Sequence, residues 1–419
     1  MESDVKVKTK LNIHDILILC AILFSGTDIW AINVGFNIRI IQIVYIFILG
    51  AFIIDYKPKL KFKLTYFKVI IFLFFLAGII STLFAINKFK SLTYLIWIVY
   101  TFVILIPMFY LYIINEGMGK IIRILRIVVN ILFCLILFQL FLDMILGIEL
   151  PIFSSQHYMG ITRPALWFYE PSYLATYLSI FVAFFAYQVL IKNDKKQLLP
   201  LILSIISTGL TTSTTGFLSI GFVLGVLIAA KIIMIKDVRM KIIIIVITLT
   251  ILLLAILMMR IFFSNVFDKF IMRIFNQGIA GASGARVSDY SRQIAAFKTS
   301  PLFGIGLDCY GTFIDVADGQ CSNLTLELLA TTGIFGCFVF YLIIFSIFYE
   351  AFMSKRRKYY IISKYLAFST LVIVVVLQAN QNFMRLYLWM IIALTLGSIF
   401  YEKSKALKEK CDLTQNEII

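Results

Sequence analysis

One contrast constrains this chain more than any other: about a dozen apolar runs of membrane-spanning length surround a single long polar stretch, residues 260–320, which carries Arg273, Arg286 and Arg292. In hydrocarbon every backbone N–H and C=O must be satisfied within the chain, so runs of this length read as spanning helices. A chain that is nearly all membrane yet keeps one large basic loop is expected to work at that loop.

Composition excludes a soluble fold. Hydrophobic residues make up 61% of the chain and the mean hydropathy is +0.98, against roughly 45–50% apolar residues in an ordinary globular domain. The expected class is all-α, a polytopic integral membrane protein of about twelve transmembrane helices. Seven spans are read directly at 69–86, 94–114, 121–146, 174–191, 242–259, 324–348 and 366–378. Five more complete the set at 16–32, 40–54, 198–210, 217–230 and 386–401, some short enough to be tilted or broken.

Charge orients the set, because cytoplasmic connections carry the excess of Lys and Arg. With the N-terminus inside, most of the 38 basic residues fall in the inner connections: Lys6, Lys8 and Lys10, then the clusters at 57–68, 120–126, 192–196, 231–241, 355–364 and 403–410. Six of the remainder, Arg260, Lys269, Arg273, Arg286, Arg292 and Lys298, lie in the one long loop. Both termini are therefore expected in the cytoplasm. The net charge of +16 reflects inner loops facing anionic lipid, and nucleic acid is not an expected partner. No cleavable signal is read at the start of the chain, so the first helix serves as its own insertion signal.

The chain reads as a single polytopic domain over 1–419, with extracytoplasmic loops at 147–170 and 260–320 and a cytoplasmic tail at 403–419. It has no internal repeat. Of the six cysteines, Cys309 and Cys321 share the long loop and could pair outside the cytoplasm; their spacing suits no metal site.

Three outward segments carry chemistry. Between the fifth and sixth spans, Arg163 precedes Trp167-Phe168-Tyr169-Glu170-Pro171-Ser172. Pro171 suits the first turn of a helix, and Glu170 would sit at the positive end of its dipole. The three aromatics read as interfacial belt residues. For Arg163 and Glu170, interface anchor and ligand contact weigh equally. Between the seventh and eighth spans, residues 207–216 form a hydroxyl-rich turn around Ser213, suited either to helix capping or to sugar hydroxyls and phosphate oxygens. In the long loop, residues 287–299 place Tyr290, Ile294 and Phe297 on one face of an amphipathic helix, expected to pack on the membrane core or in its interface. Arg292 and Lys298 read as interface anchors, whereas Arg286, behind a Gly/Ser stretch, is better placed for an anion. The helix breaks at Ser300-Pro301-Leu302-Phe303-Gly304-Ile305-Gly306.

At these residues the resemblance becomes specific. Arg163 with FYEPSYLA, then LTTSTTG, GARVSDYSRQIAAFKTSPLFGIGLDCY and SNLTLELLATTGIFG look, in order, like the landmarks of the O-antigen polymerase and O-antigen ligase superfamily, most of all like exopolysaccharide repeat-unit polymerases. The resemblance spans nearly the whole chain. It implies a GT-C-like membrane glycosyltransferase that needs no metal or other cofactor and acts at the outer face of the bacterial cytoplasmic (inner) membrane. The donor it implies is a glycan on undecaprenyl pyrophosphate, gripped by Arg163 and Arg286. Two departures stand out. Thr214 follows Ser213 where many members carry Arg, and Ser322 precedes Asn323 where the ligases carry His.

The expected catalytic set is Glu170, Arg286 and Arg163, with Glu170 the first choice of base and His157, Asp308, Asp315 and Asp318 behind it. The expected substrate-binding set is Arg163, Arg286, Arg273, Ser213, Asn323 and Ser172. Expected partners are the lipid-linked glycan, membrane lipid, and a chain-length regulator and flippase of the same assembly line. Polymerase is the leading reading and ligase the nearest rival. A transporter or flippase comes third, since the spans are almost free of charge apart from Glu327 and no halves repeat.

Overall fold

The computed structural model describes residues 11–33, 37–58, 66–158, 161–243, scattered positions from 246 to 264, and then 284–316, 319, 321–354, 361–379 and 383–416. The protein is mostly helical. In chain order the elements are α1 (Ile13–Leu23), β1 (Ala31–Asn33), β2 (Asn37–Arg39), α2 (Ile40–Tyr56), α3 (Tyr66–Leu83), α4 (Lys88–Glu116), α5 (Met118–Leu146), β3 (Ser154–Tyr158) and β4 (Ile161–Leu166). They continue with α6 (Pro171–Leu190), α7 (Leu198–Leu210), α8 (Thr214–Met234), α9 (Gly284–Thr299), α10 (Tyr310–Phe313), α11 (Leu324–Met353), α12 (Ile362–Val376) and α13 (Leu386–Asn416). Among the described residues seven helices are long and apolar enough to cross a membrane: α3, α4, α5, α6, α8, α11 and the first part of α13. The expected span at 242–259 lies mostly outside the described residues.

Local signals start the helices where the sequence supplies them. Asn12 and Asp15 form a reciprocal capping box on α1, Asn87 caps α4, Pro171 opens α6, and the Asn323 side chain caps α11. The centre of the bundle is α6 and α13, whose side chains, among them Tyr177, Phe181, Tyr387 and Trp389, are almost wholly buried. They meet through α12, which packs against both. Such contacts rest on close van der Waals packing, since lipid tails are as apolar as the side chains.

The structure departs from the sequence expectation in four places. The first span is expected over 16–32, but α1 stops at Leu23. The hydroxyls of Ser25 and Thr27 turn back onto the carbonyls of Ile22 and Phe24, and the chain folds into β1, paired antiparallel with β2. Gly26 is required there, because a Cβ would lie 2.0 Å from the Phe168 ring. A second hairpin, β3–β4, is likewise outside an all-α reading. Trp167 and Phe168 are buried in the core rather than in an interfacial belt, and only Tyr169 of the three is exposed.

The fourth departure shapes the site. Helix α11 is broken at Gly333, with φ +67° and ψ −170°. In a straight helix Thr325 and Tyr341 would stand roughly 24 Å apart; here their hydroxyls hydrogen-bond. The two halves of α11 therefore fold toward each other. The segment 301–306 fills the break: the N–H of Ile305 donates to the Ala330 carbonyl at 2.8 Å, that of Gly306 to Thr331 at 3.2 Å, and that of Ile334 to Pro301 at 2.9 Å. Cβ atoms on Gly304 or Gly333 would lie 2.2–2.3 Å from the opposing backbone. The glycines of PLFGIG and TTGIFG thus permit two backbones to touch where a spanning helix opens.

Cross-links sort the connections to two ends of the bundle. At one end, His14 meets Asp55 and Glu116, Lys120 meets Asp15 and Glu116, and Glu350 meets Tyr66 and Lys403. At the other gather the loop after α1, both hairpins, the 207–216 turn, α9 and the α12–α13 connection.

Candidate functional site

The second end is built from the segments singled out in sequence. Gln139 of α5 pins β3–β4 from below, donating to the Ser154 carbonyl at 2.8 Å and accepting from the Leu166 N–H at 3.0 Å. This fixes Arg163, which faces Gln156 in the hairpin register. The half-buried Arg163 side chain reaches the hydroxyl-rich turn, its Nε lying 3.2 Å from Thr212 Oγ1 and 3.4 Å from the Thr211 carbonyl. Two of the three chemical segments are therefore joined. Thr212 holds a left-handed φ of +47° to make the turn. Gly216 lets α8 start against α6 and α7, since a Cβ would meet Thr208 at 2.9 Å and Ala175 at 3.1 Å. Ser213 is buried at the N-cap of α8.

Glu170 caps α6 by position, and its carboxylate accepts the Ser172 hydroxyl at 2.6 Å. One turn on, Tyr173 lies beneath the Arg385 guanidinium, 4.1 Å from ring centroid to Cζ. Arg385 pairs with Asp28 at 2.8 Å, and Arg39 joins the same carboxylate at 3.0 Å. The backbone N–H groups of Asp28 and Ile29 donate to the Trp167 carbonyl, tying this cluster to β4. Glu327 accepts the Phe383 N–H at 2.9 Å, two residues before Arg385. Sequence reasoning misses Asp28, Arg39 and Arg385 as a unit, because Arg385 lies hundreds of residues from the other two. The signal available is that Arg39 and Arg385 are cations at the outward ends of apolar runs.

The remaining expected residues are placed as follows. Asn323 caps α11 at Leu326 and donates to the Gln378 carbonyl at 2.6 Å, so both ends of its amide hold helix termini. His157 is exposed beside Glu149 at 2.8 Å. Asp308 pairs with Lys90 at 3.5 Å, and Asp315 is exposed. Arg286 lies in the first turn of α9, its side chain outside the described residues, as are Arg273 and Asp318. Cys309 and Cys321 are free and buried rather than paired. Burial pushes both thiols up, Cys321 well above its ordinary range.

Helix α9 matches its expectation, and its inward face does so in part: Tyr290 and Phe297 are half-buried. Ile294 is 41% exposed, and the buried stripe is Gln293 and Ala296 with Asp289 half-buried above them. Asp289 accepts from the hydroxyls of Tyr310 and Ser322 and from Gln293. Burial, then the Asp289 carboxylate, push the Tyr310 phenol well above its ordinary range.

Five buried side-chain polar atoms lack a hydrogen-bond partner among the described residues: Asp28 Oδ2, Trp167 Nε1, Ser207 Oγ, Gln293 Oε1 and Arg385 Nε. All five lie at this end. Folded proteins satisfy nearly every such atom, so these five are open to hydrogen bonds from outside the described residues.

Residues 199–341 match the family model Wzy_C, O-antigen ligase. Over that stretch the chain resembles the O-antigen ligase/polymerase superfamily. The matched stretch runs from α7 through the break in α11 and includes the hydroxyl-rich turn and α9; Arg163 and Glu170 precede it. This superfamily comprises multi-pass membrane enzymes of the glycosyltransferase type that act on lipid-linked glycans. No curated protein matches the chain.

Proposed function

We propose that the protein polymerises undecaprenyl-pyrophosphate-linked oligosaccharide repeat units, of O-antigen, capsule or exopolysaccharide type, at the outer face of the bacterial cytoplasmic membrane. In this reading it crosses the membrane about twelve times in a GT-C-like arrangement, keeps both termini inside, and exposes loops 147–170 and 260–320 outside. The observation that carries it is the Arg163 guanidinium seated on the Thr211–Thr212 turn, a turn that lies within the stretch matching the O-antigen ligase family. Where many members bring a cation on the turn itself, this chain brings one from β4.

The chemistry requires little else. The bond from the anomeric carbon to the lipid diphosphate breaks, and a bond to the acceptor hydroxyl oxygen forms with inversion. The diphosphate leaves as an anion needing cations and no proton, a role for Arg163 and Arg286, with Arg273 in the same loop. The acceptor proton goes to Glu170, whose carboxylate is oriented by Ser172. Ser213 and Asn323 complete the proposed substrate-binding set through the turn and the start of α11. The growing chain passes to the non-reducing end of a new lipid-linked unit, so polymer grows at its reducing end. A flippase supplies the unit and a chain-length regulator limits the product.

Incubating the purified full-length protein with lipid-linked repeat unit tests this reading. A ladder of products is expected. Transfer of preformed polymer to a separate acceptor, without a ladder, would assign the ligase activity instead. Movement of the unit across a bilayer without any new glycosidic bond would assign transport.

A further inference from the structure

We propose that Asp289 is a positioning residue, latching α9 so that its first turn, and with it Arg286, is held in one place at the mouth of the site. The proposal rests on the reading of Arg286 as a ligand of the lipid diphosphate.

An amphipathic helix outside a membrane is ordinarily held by an apolar stripe. Here Ile294, the central apolar residue of the stripe expected from sequence, is exposed, and the buried positions one and two turns beyond Asp289 are Gln293 and Ala296. Tyr290 and Phe297 are only half-buried, and the fully buried positions, Gln293 and Ala296, add little apolar surface, so apolar packing alone does not fix the direction of the helix. What fixes its upper half is the Asp289 carboxylate, which receives Tyr310 on one oxygen and Ser322 and Gln293 on the other. Hydrogen bonds to a carboxylate are among the stronger ones, and three of them also define a direction. They tie α9 to two different supports. Tyr310 belongs to α10, and Ser322 immediately precedes Asn323, the cap of α11. Position 286 stands three residues before Asp289, one turn up on the same stripe by helical register. Loss of the latch would free the turn that bears the cation while leaving Ala296 in place at the other end.

Two variants separate latch from direct action. Asp289→Ala removes the acceptor; Tyr310→Phe with Ser322→Ala removes two donors and keeps the carboxylate. Each is prepared as full-length protein in lipid nanodiscs. A nitroxide at Ala285→Cys, with native cysteines replaced, reports mobility, and kcat/KM for ladder extension is normalised to monodisperse protein. Immobile label in the parent, mobile label in both variants, and a fall in kcat/KM of about tenfold in both are expected. An unchanged spectrum in both variants would overturn the proposal. Mobile label with unchanged kcat/KM would overturn it equally, as would loss of turnover in Asp289→Ala alone, which would make Asp289 a direct participant. Should the parent make no ladder, the polymerase reading fails while the spectra still decide whether the latch exists.

Discussion

Asp28 and Arg385 stand 357 residues apart in sequence and meet at 2.8 Å, closing the loop after α1 onto the start of α13. Arg39 shares the carboxylate and Tyr173 lies under the guanidinium, so one pair links the loop after α1, β2, α6 and α13. Arg385 and Asp28 are both largely buried. Removing Asp28 strands the buried Arg385 charge, which costs about 3–5 kcal/mol, whereas removing Arg385 leaves Asp28 paired with Arg39 and costs less. Asp28→Ala and Arg385→Ala are each expected to lower the midpoint of thermal unfolding in detergent. The double variant is expected to fall by clearly less than the sum of the two. Additive losses would show that the pair is not coupled.

Gly304 and Gly333 give the second prediction. Both have positive φ, and a Cβ on either would strike backbone at 2.2–2.3 Å. Alanine at either position is expected to cost about 2–5 kcal/mol, combining left-handed strain with a clash that backbone cannot yield to. Gly147 is the control: its φ is +65° but an added Cβ would have nothing within 4 Å, so Gly147→Ala should cost only about 1–2 kcal/mol. Equal unfolding midpoints for the three variants would contradict the account of the broken helix.

How far the sequence reveals this arrangement depends on the kind of signal involved. Apolar runs and basic connections place most helices within a few residues, because lipid demands length and leaves little else to choose. Helix α9 is found by its periodicity, yet its inward face is read only in part, since Tyr290 and Phe297 are half-buried while Ile294 turns outward and polar Gln293 is buried. The break at Gly333 is hidden because the run stays apolar on both sides and contains no proline; only the partner segment 301–306 shows why glycine is there. Arg163 stands out in sequence as a ligand candidate, but its seat on Thr211 and Thr212 is a tertiary contact no local pattern encodes. Asp28 with Arg385 is invisible for the same reason.

Cys309 and Cys321 yield a prediction in pH. Burial raises both thiols above their ordinary range. The folded protein therefore holds these protons more tightly than the unfolded chain, whose thiols titrate at about 8.5. The resulting stability is fully present below that value and is lost as pH rises above it. Native protein at pH 7 should resist maleimide at both positions, whereas denatured protein should label at both without prior reduction. A requirement for reductant would reveal a disulfide and contradict the free thiols.

The central claim is that outward-facing guanidinium groups handle the lipid diphosphate during chain growth. It is tested most directly by replacing Arg163 and Arg286 singly with alanine, in cells lacking the native copy, and reading glycan ladder length at matched membrane levels of protein. The account predicts loss of long-chain product in both variants, at least a hundredfold by analogy with removal of one charge-stabilising donor, which costs roughly 10²–10³ in rate. Ladders of parental length from both would contradict it.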